Sequence, residues 1–253
     1  MNGYIDIHTH ILPGVDDGAL DVAQGLDMVR IAYQNGTRIL FLTPHYRSGF
    51  KQNDHKFIKQ TFDRFCEIAG REVPGMKLYL GCEIRYEMDA PEAVAGKRAL
   101  SMNGSQYCLM EFHPSALRSW VVAGVWEMSR FGYIPIIAHP ERYAVFRKDR
   151  TLTDEVLQMG ALLQLNAESI LGRRGLGVSM FCNRLLKERK AHFVASDAHN
   201  AKSRPPLLRD CWWKVYKRYG GEYARKLFHG NAQRMIADGQ EGDEDGGSEG
   251  NGY

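Results

Sequence analysis

Nine histidine and carboxylate residues in this 253-residue sequence have the types and spacing of metal ligands. They form an HxH pair, a DxH pair and five single positions: His8, His10, Asp17, His45, Glu83, Glu111, His139, Asp197 and His199. Because residues i and i+2 of a strand point to the same side, both members of a pair can reach one ion. Imidazole and carboxylate donors without thiolates favour Mn, Fe or catalytic Zn. Nine donors exceed the about four to six ligands of a single ion, so the sequence predicts two or three ions bridged by a carboxylate.

Such a metal cluster is suited to hydrolysis. Bound divalent ions lower the pKa of a water molecule and neutralise a developing oxyanion, as in the hydrolysis of phosphoesters or amides. Arg142 lies three residues after His139 in HPERY, and Arg204 lies five residues after His199 in SDAHNAKSRPP. Both guanidinium groups would stand at the rim of the site, where their planar forks match phosphate oxygens. The two arginines therefore favour a phosphoester substrate.

Two positions beside these ligands are less clearly defined by spacing. Asp16 precedes Asp17 in a glycine-containing loop, and it either supports a ligand from behind or is itself the ligand in place of Asp17. His113 lies two residues after Glu111 and is a candidate for a similar supporting role.

Short segments rich in β-branched and aromatic residues alternate with segments of helical periodicity. The predicted strands are Tyr4–His8, Arg38–Thr43, Lys77–Glu83, Tyr107–Phe112, Ile134–His139, Leu162–Asn166 and His192–Ser196. The predicted helices are Asp21–Asn35 and about 54–70, 119–131, 152–159, 178–189 and 208–219, while 84–104 has no assignment. This alternation predicts an α/β protein with a (βα)7 TIM-like barrel, in which the C-terminal ends of the strands meet at one mouth. Six of the seven strands would carry a candidate ligand to that mouth.

Composition predicts one domain followed by a tail. Residues 239–253 are rich in glycine and hold five acidic and no basic side chains, so we expect a disordered tail there. The formal net charge is +3, which leaves residues 1–238, the predicted domain, at +8 and suited to an acidic substrate. The five cysteines form no CxxC pair, and neither a membrane-spanning run nor a signal pattern occurs. We therefore expect a cytoplasmic protein without membrane insertion.

The motifs as a set resemble a known superfamily. DIHTHILPGVDDGA, TPHYRSG, GCEIRY, LMEF, IAHPERY, ASDAHN and SRPP occur in this order between about Asp6 and Asn231. They resemble the polymerase and histidinol phosphatase (PHP) superfamily, and within it the manganese-dependent protein-tyrosine phosphatases of bacterial capsule and exopolysaccharide operons. The resemblance implies a distorted (βα)7 barrel with a metal cluster, usually of three ions, at the C-terminal ends of the strands.

The resemblance also implies a role for each candidate residue. The nine residues above would be the metal ligands, with Glu83 bridging ions, and Arg142 and Arg204 would bind the phosphoryl group. The implied metal is Mn, with Fe or Zn as alternatives, and the implied reaction is attack of a metal-activated hydroxide on phosphotyrosine. The implied partner is a bacterial tyrosine autokinase whose tyrosine-rich tail is dephosphorylated, which regulates polysaccharide export.

Other functions compete with this interpretation. A histidinol-phosphate phosphatase or a PHP nuclease uses nearly the same ligands, although we expect no nucleic-acid partner, and a catalytically silent metal-binding module is a further alternative. An amidohydrolase also begins with HxH, but two strand-end carboxylates and a DxH finish fit it poorly. A cysteine-dependent tyrosine phosphatase is excluded, because no cysteine begins a C-x5-R motif. The tail is interpreted as passive, with the alternative that Tyr253 imitates a kinase tail; oligomeric state is not predicted.

Overall fold

The computed structural model describes residues 3–49 and 55–245, with side chains as far as residue 239. The strands in these ranges are β1 Tyr4–Thr9, β2 Thr37–Leu42, β3 His45–Tyr46, β4 Lys77–Leu80, β5 Glu83–Arg85, β6 Tyr107–Glu111, β7 Ile134–Ala138, β8 Leu162–Asn166 and β9 Phe193–Ala195. The helices are α1 Val22–Asn35, α2 His55–Glu72, α3 Ala90–Ala95, α4 Arg118–Arg130, α5 Ala144–Lys148, α6 Arg150–Gln158, α7 Ala167–Leu171, α8 Leu176–Lys187, α9 Arg209–Tyr219, α10 Gly221–Arg225 and α11 Asn231–Asp245. None of the helices in these ranges has the length and apolarity to cross a membrane.

The strands pair in parallel in two sheets, ordered β1-β2-β4 and β3-β5-β6-β7-β8-β9. Backbone hydrogen bonds link the two sheets where they meet. On one side β2 leads into β3 and β4 into β5, and the amides of Gly81 and Glu83 donate across these breaks to the carbonyls of Leu42 and Pro44 at 3.0 and 3.1 Å. On the other side the amide of His10 donates to the carbonyl of Ala198 at 2.8 Å. The two sheets thus meet at both junctions, and their parallel strands with intervening helices confirm the α/β fold predicted from the sequence.

All seven predicted strands are present, but two of them are interrupted. The second continues after a break as β3, and the third, predicted as Lys77–Glu83, divides into β4 and β5. Gly81 marks the second break, since a Cβ there would lie 2.7 Å from the sulfur of Met102. The interruptions place Glu83 and His45 on short separate strands that pair with each other. Residues 84–104, which had no assignment, contain α3 and a 3-10 turn at Met102–Gly104.

Helix α1, which connects β1 to β2, shows how local sequence determines where a helix begins and ends. The carboxylate of Asp21 caps its first turn by accepting from the amide of Gln24 at 2.8 Å. Gly36 ends the helix with φ 104°, a left-handed conformation that glycine adopts without steric cost. Between these caps one face of the helix is buried, including Met28 and Val29. Each buried side chain of this size contributes about 1.5–3 kcal/mol, so packing on the sheet stabilises the helix more than either cap does.

Apolar residues fill the interior between the strands and close its N-terminal end. The side chains of Ile7, Phe41, Leu109 and Ile136 form this layer, and Met235 of α11 packs against it from below. Side chains of a strand alternate between its two faces, so Glu111, two residues after Leu109, is on the same inward face. Glu111 is nearer the C-terminal end of its strand and lies above the apolar layer, which we call the apolar floor. The polar residues of the site are therefore confined to the opposite end from α11.

Helix α11 extends past the predicted start of the disordered tail. The sequence predicted disorder from Gly239 onward, but helix α11 continues to Asp245. Gly239 is buried, and a Cβ there would overlap the carbonyl oxygen of Asn103, so this glycine allows close helix packing. The carboxylate of Asp238 also accepts from the amide of Gln106 at 2.8 Å. The predicted boundary at 238 therefore falls inside α11, and Tyr253 lies outside the described residues.

Candidate metal centre

Glu83 stands at the centre of the predicted ligands. Its Oε2 atom lies 3.2 Å from His8 Nε2, 3.3 Å from His10 Nε2 and 3.1 Å from His45 Nδ1. Its other oxygen, Oε1, lies 2.7 Å from His139 Nε2. The Glu83 side chain is 1% exposed. One buried carboxylate thus touches four imidazoles that come from three strands or their ends: β1, β3 and β7.

The nine predicted residues divide into four overlapping groups whose donor atoms lie within 4.8 Å of one another. The groups are His10, Asp17, His45 and His199; His8, His10 and Asp197; His8, Glu83 and His139; and His45, Glu83 and Glu111. Every predicted ligand belongs to at least one group, and His8, His10, His45 and Glu83 each belong to two. Shared donors of this kind are what two or three neighbouring ions require.

The contacts in this cluster fit divalent cations. The Nε2 atoms of His8 and His10 face each other at 3.2 Å, and both also face the same Glu83 oxygen. The other ring nitrogen of each histidine, Nδ1, faces an oxygen acceptor, Gln164 Oε1 or Asp16 Oδ2, so in the neutral imidazoles both Nε2 atoms carry lone pairs aimed at each other and at Glu83. A cation among these atoms satisfies all of the lone pairs, and imidazole with carboxylate is the donor set of Mn, Fe and catalytic Zn. The residues therefore fit the metal cluster that the sequence predicts.

The protonation states in the cluster follow from its packing. Burial alone would raise the pKa of the Glu83 carboxyl, but His8 and the other adjacent imidazoles hold that pKa well below its usual range. Burial lowers the pKa of His45, but contacts with Asp17 and Glu83 outweigh this effect and raise it to about 9. Burial and the neighbouring His10 lower the pKa of His199 to about 3. The cluster thus combines ionised carboxylates with a neutral His199 imidazole that has a free lone pair.

Asp16 contacts the predicted ligand His10, whereas Asp17 belongs to a donor group. The carboxylate of Asp16 lies 2.6 Å from His10 Nδ1, the ring nitrogen away from Glu83, and accepts from the amide of His45 at 3.0 Å. A carboxylate behind a ligating imidazole fixes its orientation and raises its basicity. Gly18 is required in this loop because a Cβ there would overlap the carbonyl oxygen of His10. Of the two alternatives that the sequence left open for Asp16, the geometry agrees with the supporting role.

Strand β8, which carries no predicted ligand, supplies another supporting pair. Gln164 Oε1 lies 3.0 Å from His8 Nδ1, and Gln164 Nε2 donates to Asn166 Oδ1 at 2.8 Å. The side-chain Nδ2 of Asn166 in turn donates to Asp197 Oδ2 at 2.8 Å. Sequence reasoning missed both residues. The available signal was their i, i+2 spacing at the C-terminal end of a predicted strand, the same spacing as in the HxH pair.

Tyr143 and Arg85 are two further supporting residues that sequence reasoning missed. The Tyr143 hydroxyl lies 3.2 Å from His139 Nδ1 and accepts from the amide of Phe112 at 3.0 Å. Arg85 donates through Nε and Nη2 to Glu111 Oε1 at 2.9 and 2.7 Å. Arg85 follows Glu83 by two residues on β5, so strand alternation alone places both side chains on the same face.

The two predicted phosphate-binding arginines converge on one carboxylate oxygen. Arg142 Nη1 lies 3.1 Å and Arg204 Nη2 2.9 Å from Asp197 Oδ2. The other oxygen, Asp197 Oδ1, lies 3.6 Å from the Nε2 atoms of both His8 and His10. Arg142 is half exposed and Arg204 is 26% exposed, so both guanidinium groups border solvent. Asp197 thus holds two cationic side chains at the boundary between the donor cluster and the open mouth.

The family described as "Capsular polysaccharide synthesis, CpsB/CapC" matches residues 4–237. This chain belongs to the CpsB/CapC family. Tyrosine-protein phosphatase YwqE from Bacillus subtilis strain 168 is 34% identical over 232 residues, 92% of this chain and 91% of the relative. Tyrosine-protein phosphatase CpsB from Streptococcus pneumoniae is 30% identical over 239 residues, 92% of this chain and 98% of the relative.

Solved structures agree with membership of the CpsB/CapC family. A crystal structure reported for YwqE from Bacillus subtilis and CpsB from Streptococcus pneumoniae, described as unique metal-dependent tyrosine phosphatases, is similar with a TM-score of 0.87. It is 32% identical and covers 92% of this chain and 94% of that chain. The lactonase Lmo2620 from Listeria monocytogenes has a TM-score of 0.62 at 11% identity, covering 94% and 95% of the two chains. The lactonase similarity supports the fold alone.

Backbone strain in this CpsB/CapC chain coincides with two predicted ligands. His139 has φ 35° and Asp197 has φ 53°, a left-handed conformation that residues other than glycine rarely adopt. This backbone conformation destabilises the folded state by about 1–3 kcal/mol per residue, so it persists only where the surrounding structure holds it in place. His139 directly follows β7, and Asp197 comes two residues after the end of β9. At each position the sharp turn directs the side chain into the cluster. The strain therefore coincides with the ligand positions that a hydrolytic centre would need.

Other reactive groups of this CpsB/CapC chain stand apart from the cluster. His113 is exposed and pairs with Ser115 Oγ at 2.7 Å, so the predicted supporting role of His113 is wrong: its loop turns outward after β6. All five cysteines are free. Burial raises the pKa of the Cys66 and Cys82 thiols to about 12, the opposite of what a cysteine nucleophile needs.

Proposed function

We propose that this chain is a metal-dependent protein-tyrosine phosphatase that acts in capsule or exopolysaccharide synthesis. The observation that carries the proposal is the convergence of Arg142 and Arg204 on Asp197, whose other oxygen faces the imidazoles of the donor cluster. A metal site flanked by two solvent-bordering guanidinium groups suits a phosphate ester better than an amide. The relatives that are named tyrosine-protein phosphatases support the same activity.

The nine clustered residues are proposed to hold two or three divalent ions, most simply Mn, with Fe or Zn as alternatives. When bound, these ions lower the pKa of a water molecule and neutralise negative charge on the phosphoryl group. Glu83 is proposed to bridge ions, because its two oxygens face different imidazoles. Asp17, the most exposed of the predicted ligands at 67%, lies on the open side of the cluster.

The protein's own side chains orient the reaction. Arg142 and Arg204 are proposed to bind the phosphoryl oxygens and to hold the phosphorus in line for attack. Asp16, Gln164 and Tyr143 fix the ring orientations of three ligating imidazoles through their second nitrogens. The apolar floor beneath the cluster confines reaction to the mouth, where a phosphotyrosine side chain can enter.

The finer assignments are also proposals. The physiological substrate is proposed to be a bacterial tyrosine autokinase with a tyrosine-rich tail, in keeping with the capsule context of the family. The elements from β1 to α11 are proposed to act as one phosphatase domain, which moves the predicted boundary at 238 to the end of α11. A cytoplasmic location is proposed because the five cysteines are free and well separated.

A comparison of substrates tests the proposed activity. Phosphate release is measured from a phosphotyrosine peptide, a phosphoserine peptide of the same sequence, histidinol phosphate and a short oligonucleotide, with the enzyme chelated and after Mn is restored. We expect Mn-dependent release from the phosphotyrosine peptide alone. Release only from histidinol phosphate or the oligonucleotide would retain a metal phosphoesterase but exclude the tyrosine phosphatase. No release from any substrate, with metal bound, would support a silent metal-binding module.

A further inference from the structure

The most exposed large hydrophobic side chains surround the mouth of the metal centre. Among the described residues, four such side chains are more than 70% exposed: Leu20 at 76%, Met88 at 76%, Leu117 at 72% and Leu176 at 79%. Leu20, Met88 and Leu117 precede α1, α3 and α4, which follow β1, β5 and β6, and Leu176 begins α8, which connects β8 to β9 after the short helix α7. Because strands and helices alternate in direction, all four lie at the C-terminal face of the sheets, where the donors converge. We call these four residues the apolar rim.

Ordinary helix capping does not account for the apolar rim. A hydrophobic residue immediately before an N-cap often packs against the first turn of its helix. Leu20 and Met88 occupy this position, before the N-cap residues Asp21 and Asp89. Side chains about three-quarters exposed are not packed in this way, and exposed apolar groups that cluster around a site are typical of recognition surfaces.

Two of the four segments that carry the rim are hydrogen-bonded to the backbone of predicted ligands. The amide of Ala19, next to Leu20, donates to the carbonyl of His10 at 3.0 Å. The amide of Tyr86, two residues before Met88, donates to the carbonyl of Glu111 at 2.9 Å. Leu20 and Met88 are therefore held in a fixed relation to the predicted ligands.

We propose that the apolar rim binds hydrophobic residues on either side of the phosphotyrosine in a protein substrate. The inference rests on the proposed function and adds a specificity determinant to it. An extended chain advances about 3.3 Å per residue, so residues a few positions from the phosphotyrosine lie over the loops around the mouth. A site bordered by two guanidinium groups and ringed by apolar side chains complements a dianionic residue with apolar neighbours. A phosphotyrosine in a wholly polar context would leave the rim uncovered.

Two phosphotyrosine peptides of equal length and charge test the rim. One carries Leu and Met at the flanking positions, and the other carries Gly and Ser. For the natural chain, we expect kcat/KM to be about tenfold higher for the apolar peptide, a difference of about 1.4 kcal/mol. This ratio should fall toward one in Leu117→Ser/Leu176→Ser and in Leu20→Ser/Met88→Ser. Trp126→Ser, which removes a half-exposed apolar side chain on α4, is the matched control and should keep the ratio.

The outcomes separate this inference from the proposed function. If the natural chain hydrolyses neither peptide, the phosphatase assignment fails. If it hydrolyses both peptides equally, or if both double variants keep the tenfold ratio, the phosphatase stands and the rim proposal is overturned. A change of oligomeric state in the double variants, measured by light scattering, would also overturn it, since the rim would then contact a second copy of this chain. Circular dichroism confirms that each variant is folded before the ratios are compared.

Discussion

Replacing Glu83 by glutamine (Glu83→Gln) is expected to lower kcat/KM for a phosphotyrosine peptide by at least about 10³-fold. The substitution keeps the shape of the side chain but removes the negative charge that faces four imidazoles. It also replaces one acceptor oxygen by an amide donor, which cannot ligate a cation. The bound metal measured after dialysis should fall together with activity, because two of the four donor groups contain Glu83.

Glu87→Gln is the matched control for this prediction. Glu87 lies four residues further along the chain, is exposed and belongs to none of the donor groups among the described residues. Its variant should keep natural activity and metal content. If the Glu83→Gln variant kept natural metal content and activity, Glu83 would have no bridging role, and the proposed metal centre would be contradicted.

Arg204→Ala is expected to lower kcat/KM by about 10²–10³-fold while metal content stays unchanged. The guanidinium of Arg204 lies 2.9 Å from Asp197 Oδ2 and borders solvent, where the phosphoryl group would enter. Arg204→Lys should recover only part of the loss, because an ammonium group cannot form the planar bidentate contact with phosphate. Activity and metal content are measured on the same preparations, so loss of phosphate binding is distinguished from loss of the ions.

Lys202→Ala gives the control for charge. Lys202 lies in the same loop and is exposed, and the loop is held by its backbone amide, which donates to Asn200 Oδ1 at 3.0 Å. Removing the Lys202 side chain should therefore leave the loop and the activity unchanged. Equal losses in the Lys202 and Arg204 variants would indicate general electrostatic attraction rather than a specific phosphate contact.

The sequence predicted those features that depend on short-range patterns. The strand alternation at His8 and His10, and the position of Glu111 and His139 at strand ends, follow from local periodicity and the geometry of parallel strands. These rules bring the nine candidate residues to one end of the sheets, and the structure has all of them in donor groups. Their roles as metal ligands remain predictions that the variants above can test.

The sequence could not predict features that depend on packing between distant segments. The break between β4 and β5 depends on Met102, which lies 21 residues beyond Gly81. Asp16 and Asp17 are adjacent and chemically identical, and only the approach of His10 distinguishes their roles. The last helix passes Gly239 because Asn103 packs against it, whereas composition alone indicated a tail. In each case a partner remote in the chain decides the local structure.

A metal titration of the chelated protein tests the central claim most directly. Mn is added in steps, and the ions bound per chain are counted by mass spectrometry while phosphotyrosine hydrolysis is followed on the same samples. We expect no hydrolysis without metal and full activity only once two or three ions are bound per chain, because the four donor groups share four of their residues. Full hydrolysis by the metal-free chain, or saturation at a single ion, would contradict the proposed centre.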